Sequence, residues 1–312
     1  MNVVIENRAS VVLYNYLKSN CSDNIFAIPA NVCPIVPLTF ITAGVKYKFI
    51  DISPITHAID KDAVMKVIKS GEVDSLFYVH AYGCIVNNEM FYKELKDIGC
   101  QWIIEDKCLC IPLLPSEQQT GIADLHLYST GYAKFVEFGV GGYGIFKGNY
   151  ELHIPEGYSY KVDEDKNLFE EIKISLQQNK HFIYHKCNWL DFSSYKHTDY
   201  FENIEKERDK ILEHKTLINT IYNEAIPKSI QMGSDYINWR YMILSEYRDD
   251  IINRLFKAGL FAGKNYPSVS YLYDEVNSPC AEAEANMTLN LFNDFRINEE
   301  KAISIADILC KV

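Results

Sequence analysis

Residues 101–144 read QWIIEDKCLCIPLLPSEQQTGIADLHLYSTGYAKFVEFGVGGYG, and this stretch decides the fold. Trp102 to Ile104 reads as a short apolar strand that delivers two acids, Glu105 and Asp106, at its carboxyl end. Leu125 to Tyr128 reads as a second strand, delivering Ser129. Lys134 stands five residues beyond that serine, and Gly139, Gly141, Gly142 and Gly144 follow. Open α/β sheets bind ligands outside the carboxyl ends of their strands. A carboxylate, a hydroxyl and an amine are therefore expected to converge on one crevice. The trio suits pyridoxal 5'-phosphate: the acid pairs the pyridinium nitrogen, the lysine forms the Schiff base and the hydroxyl holds phosphate.

Outward from this stretch, strand and helix signals alternate. Upstream, Ile25 to Ile28, Lys46 to Ile50 and Leu76 to His80 read as strands, and Val11 to Lys18, Ile35 to Ala43, Asp62 to Lys69 and Asn88 to Ile98 as helices. Asn7 or Ser10 is expected to cap the first helix, Asn88 the fourth, and Gly44 to end the second as a C′ glycine. Such alternation argues for a mostly parallel sheet with helices on its faces. Downstream, the charge-rich Lys161 to Glu171 reads as solvated surface. From Tyr200 to Ile226 a long helix is expected, its apolar stripe built on Ile204, Ile211, Ile218 and Ala225 and widened by Phe201, Leu212, Ile221 and Tyr222. Asn238 to Leu244 and Met287 to Phe292 read as strands, Asp249 to Lys257 as a helix, and Asn298 as the cap of a last helix, Glu299 to Cys310.

The chain has 312 residues, room for two domains or one large one. A net charge of −11 repels a polyphosphate backbone, so no nucleic-acid partner is expected. No run of about eighteen apolar residues predicts a membrane span, and no signal peptide is visible at the start. Nine scattered cysteines, without a C-x-x-C, read as reduced thiols of a cytoplasmic protein with no metal site.

The order Glu105-Asp106, Ser129, Lys134, Gly141-Gly142, with twenty-eight residues from Asp106 to Lys134, resembles the DegT/DnrJ/EryC1/StrS family, the sugar-aminotransferase branch of fold-type-I pyridoxal-phosphate enzymes. The resemblance covers most of residues 7 to 146 and more loosely Trp239 to Leu309, where Arg240 in NWRYMIL resembles a family strand motif. It implies an aspartate-aminotransferase-like three-layer α/β domain over residues 1–195, and a smaller C-terminal α+β domain with a long linking helix over residues 196–312. It also implies transfer of an amino group from an amino acid, glutamate being the expected donor, to a nucleotide-linked keto-deoxysugar, in a homodimer. Lys134 and Asp106 would be catalytic. Ser129 and the helix start at Arg8, Ala9 and Ser10 would bind the cofactor phosphate, with Arg8 adding a guanidinium fork. Where the family stacks an aromatic ring on the cofactor this chain has Ala30 to Cys33, so His80 or Tyr82 is expected to supply that face. Lys134 argues against the family's histidine-bearing sugar dehydratases. Lys107, Leu109 and Val140 depart from the family pattern and motivate a second reading, a catalytically silent or regulatory protein that kept the fold; a non-sugar keto substrate is a third.

Overall fold

A computed structural model describes residues 1–195 and 198–311. Seven strands form the main sheet: β1 (Asn2–Glu6), β2 (Ile25–Pro29), β3 (Lys46–Ile50), β4 (Ser75–Val79), β5 (Ile103–Asp106), β6 (Leu125–Ser129) and β7 (Gly142–Phe146). Their order is β1-β7-β6-β5-β4-β2-β3. The strands from β3 to β6 are parallel, and β7 runs antiparallel to both β6 and β1.

Helices α1 (Ala9–Asn20) and α2 (Ile35–Ala43) cover one face, and α3 (Lys61–Lys69) and α4 (Glu89–Asp97) the other. Side chains alternate across a strand. Phe26, Ile28, Phe77 and Ile104 accordingly pack under α1 and α2, while Ala27, Leu76, Tyr78 and Ile103 pack under α3 and α4. Gly44 ends α2 in the left-handed conformation (φ 73°), as its position predicts.

Beyond β7 come α5 (Val162–Gln178) and α6 (Tyr200–Ala225). A second, three-stranded antiparallel sheet follows in the order β8-β10-β9: β8 (Tyr241–Leu244), β9 (Ala262–Gly263) and β10 (Thr288–Leu291). Ile218 and Tyr222 of α6 share its core with α7 (Arg248–Lys257) and α10 (Glu299–Leu309). Two short helices, α8 (Ser270–Asp274) and α9 (Pro279–Met287), return towards the main sheet, and Val269, Leu272 and Tyr273 pack into the core beneath α1 and α2. No helix among the described residues is long and apolar enough to cross a membrane.

Several expectations are corrected. The two acids lie within β5, not past its end. Arg8, not Asn7 or Ser10, occupies the N-cap position of α1, and no side chain caps it; Asn7 reaches across to the Ser193 carbonyl at 2.7 Å instead. Asn88 stands at the N-cap of α4, but its amide donates to the Tyr92 hydroxyl at 3.2 Å rather than closing a cap. The charged run after Lys161 is helical, burying Asp165, Leu168 and Ile172. On α6, Leu212 and Ala225 are exposed and Lys215 is buried, so the buried stripe departs from the expected one. The strands near residues 241 and 288 are shorter than predicted, since Trp239 and Arg240 precede β8 and Met287 closes α9.

Candidate active site

β5 and β6 are parallel neighbours with Asp106 opposite Leu127, so Asp106 and Ser129 emerge at the same edge of the sheet. β1 runs in the same direction and hands over to α1 at that edge, with Arg8 bridging to Gly141. Gly142 lies where a side chain cannot: a Cβ there would fall 2.2 Å from the Ala9 nitrogen. Only glycine lets β7 approach the first turn of α1 this closely. The result is a cavity of about 380 Å³ bounded by Ala9, Ser10, Asp106, Ser129, Lys134 and Trp189. The strand ends and the helix N-terminus thus gather carboxylate, hydroxyl and amine in one place. A larger cleft of about 490 Å³ between α5, α8 and α9 is lined by none of these residues.

Successive residues of a strand face opposite ways. Asp106 faces the cavity, its Oδ1 accepting from the Cys108 N–H at 2.9 Å. Glu105 faces the interior and accepts from the Tyr92 hydroxyl (2.9 Å), His80 Nε2 (3.1 Å), His126 Nδ1 (2.6 Å) and Lys107 Nζ (2.7 Å). Burial works against its charge, but the bonds from His126 and His80 and the Lys107 ammonium outweigh it and hold the carboxyl far below its usual range. Glu105 thereby pins the strand that presents Asp106.

Lys134 lies half-buried on the loop between β6 and β7. Burial disfavours its ammonium, yet Tyr266, Cys108, Cys33 and Asp106 face it and together raise the amine above the ordinary lysine range. Ala133, just before it, is left-handed (φ 58°), and the Ala133 carbonyl accepts from Trp239 Nε1 at 2.7 Å. Ser129 Oγ accepts from the Gly131 N–H at 3.2 Å. The opening amides of α1 have no partner within their own helix, and Ala9 and Ser10 bound the same cavity.

Arg8 also lines the cavity, and its guanidinium is engaged by protein groups there. Arg8 binds Asp165 through both Nη atoms (3.2 and 2.7 Å) and donates to the Tyr160 hydroxyl at 3.1 Å. Asp165 lies in the first turn of α5, a helix the sequence reading left as surface, so Arg8 ties that helix to the cavity rim. His80 and Tyr82 do not bound the main cavity. They line a narrow pocket of about 20 Å³ with Asp106, Lys134 and Tyr266, room for about one water. His80 accepts from the Val86 N–H and donates to Glu105. Tyr82 is left-handed (φ 53°) and donates to Glu284 of α9 at 2.7 Å. Tyr266 and Trp189 went unread, since no local pattern marks them and each reaches the site from distant chain; Trp239 lay inside the NWRYMIL motif but was given no role there.

No family model matches this chain, and no curated protein matches it by sequence. Solved structures do. The aminotransferase PseC of Helicobacter pylori, involved in the biosynthesis of pseudoaminic acid, superposes with a TM-score of 0.72 at 16% identity, over 100% of this chain and 86% of that one. A DegT DnrJ EryC1 StrS aminotransferase from Brucella abortus gives the same TM-score, identity and coverage. The sugar aminotransferase CalS13 of Micromonospora echinospora gives 0.69 at 14% identity, over 99% and 87%. The fold is therefore that of the pyridoxal-phosphate-dependent aminotransferases.

Proposed function

We propose that this chain is a pyridoxal-phosphate-dependent aminotransferase that carries an amino group from an amino acid, glutamate being the proposed donor, to a nucleotide-linked keto-deoxysugar. One observation carries the reading: Asp106, Ser129, Lys134 and the start of α1 bound a single cavity at the carboxyl edge of the sheet. The donor set fits the cofactor. Asp106 would pair its ring nitrogen, Lys134 would bind its aldehyde carbon, and Ser129 with the α1 amides would hold its phosphate. When bound, the cofactor supplies an electron sink for the bond cleavage at substrate carbon. The chain supplies the rest. Asp106 keeps the ring nitrogen protonated, because an adjacent opposite charge favours the charged form. Lys134, once displaced by substrate, carries protons as general acid and base. The sugar half of the proposal draws support from the sugar aminotransferase among the structural neighbours.

We also propose a division near residue 195 and a homodimer. Arg8 is committed to Asp165, and two large apolar side chains on the cavity wall, Tyr132 and Phe169, are 78% and 40% exposed, so a second copy would complete that wall.

The test joins two measurements. Borohydride added to the cofactor-loaded protein should fix the cofactor to Lys134, read by peptide mapping; attachment at any other lysine overturns the assignment. Asp106→Asn should still bind cofactor but slow the half-reaction with an amino donor about a thousandfold, a loss of ~4 kcal/mol. The pairing of Arg8 with Asp165 favours a second reading, a silent binder of the same fold. Cofactor that binds and stays unconverted with every amino donor would select it.

A further inference from the structure

We propose that Glu137 is a positioning residue for Lys134: its carboxylate, held by Arg296, fixes the left-handed turn at Ala133 from which the lysine departs. The proposal rests on the aminotransferase reading for its purpose and on hydrogen bonds for its geometry. The chain between β6 and β7 lies in no strand or helix. The Phe138 N–H donates to the Thr130 carbonyl at 2.8 Å and closes this loop at its base. Inside the closure Ala133 has φ 58°, a conformation in which Cβ crowds the following carbonyl oxygen. A residue with a side chain stays there only where its surroundings hold it.

Both ends of Ala133 are held. Its N–H donates to Glu137 Oε2 at 3.0 Å, and its carbonyl accepts from Trp239 Nε1 at 2.7 Å. The same Oε2 accepts from Arg296 Nη2 at 3.0 Å. Arg296 is in turn set by Asp294, to which its Nε and Nη2 both donate at 2.8 Å. Trp239 precedes β8 and Arg296 follows β10, so both grips on Ala133 come from around the second sheet. Beyond the lysine, Phe135 and Val136 pack on Ile211 of α6. A change of φ at Ala133 would reorient Lys134, which lines the cavity with Asp106 and Ser129. Stability alone does not account for the arrangement. The Arg296 and Glu137 side chains are 52% and 30% exposed, and ion pairs open to water contribute little. The bond from the Ala133 amide is charge-assisted and therefore among the stronger kind, and it fixes a backbone angle next to the amine.

The test mixes pyridoxal 5'-phosphate with the full chain, quenches samples with borohydride over time and reads capture at Lys134 by peptide mapping. Glu137 is a surface residue, so its replacement leaves the fold intact. Glu137→Ala should slow capture about tenfold, the effect of losing one hydrogen bond to a charged group. Glu137→Gln keeps an oxygen acceptor and should slow it less than about threefold. Adding Ala133→Gly to Glu137→Ala should recover about fivefold, because glycine takes positive φ without a Cβ to crowd. A pair that merely steadied the surface would be blind to residue 133, so no recovery overturns the proposal, as does capture unchanged in Glu137→Ala. Hydrogen exchange of the peptide over residues 130–138, in the cofactor-free chain, reads the hold without chemistry. Glu137→Ala should speed exchange of the Ala133 amide about tenfold, and an unchanged rate also overturns the proposal. If exchange responds but the wild type captures no cofactor at Lys134, the aminotransferase reading fails and the hold on Ala133 stands.

Discussion

A lysine amine buried among rings and carbonyls must be paired with a negative charge or give up its own. Lys215, on α6, is 3% exposed. Its amine donates to the Trp239 carbonyl and to Asn293 Oδ1, both at 2.6 Å, and lies over the Phe135 ring. Burial pushes it down from 10.5 to about 7; Asp294 partly opposes this, and Arg240 and Arg296 add to it. Between those values the unfolded chain holds one more proton than the folded chain, so stability rises with pH across this window. The full cost is felt below about 7 and is relieved as pH approaches 10.5. Lys215→Met removes this dependence. Urea melts of both proteins from about pH 7 to 9.5 should show the wild type gaining roughly 3 kcal/mol relative to the variant; parallel curves would place the amine in solvent. At this scale the sequence made Asp106, Ser129 and Lys134 legible, because the first two close β5 and β6, the third follows β6, and the strand ends fix their place. The Asp165 partner of Arg8, and the places of Lys215 and Tyr266, were not legible, because each depends on distant chain: Asp165, Asn293 and the Lys134 pocket.

Among the elements, caps show how far local chemistry carries. Asn298 was read as a cap, and its Oδ1 accepts from the Lys301 N–H at 3.0 Å. Asn298→Ala should cost about 1 kcal/mol in a denaturant melt. Ser10→Ala should cost under about 0.5 kcal/mol, since no side-chain bond closes the start of α1. Equal losses would show that the α1 serine caps after all. β7 escaped reading because its glycines, Gly142 and Gly144, interrupt the apolar pattern of a strand. They are strand residues kept small by α1: a Cβ at Gly144 would fall 2.8 Å from Val12 Cγ1. α5 escaped because charges dominate its surface: of its buried residues Asp165 and Leu168 sit among the charges, and Ile172 falls just past the stretch that read as polar.

At the scale of the whole molecule, the alternation of strands and helices announced the parallel body of the sheet. It could not announce β1 and β7, whose pairing joins the start of the chain to residue 146. The proposed dimer belongs to this scale as well. Sedimentation of the cofactor-loaded protein should give the mass of two chains, and a single-chain mass with cofactor retained would contradict it.

β1 hydrogen-bonds to β7 and to no other strand, with Asn2 opposite Phe146. On the ribosome that has a price in time. β1 is made before the other strands, and its mate appears only after about 140 further residues, roughly seven to thirty seconds at ordinary elongation rates. Throughout that interval NVVIE is a strand with no neighbour, and β6 lacks its outer flank. The cavity wall at Arg8 and Gly141 closes with the same event. The nascent chain therefore completes this cavity late, after β2 to β6 have emerged, and until then β1 is a segment a chaperone would meet.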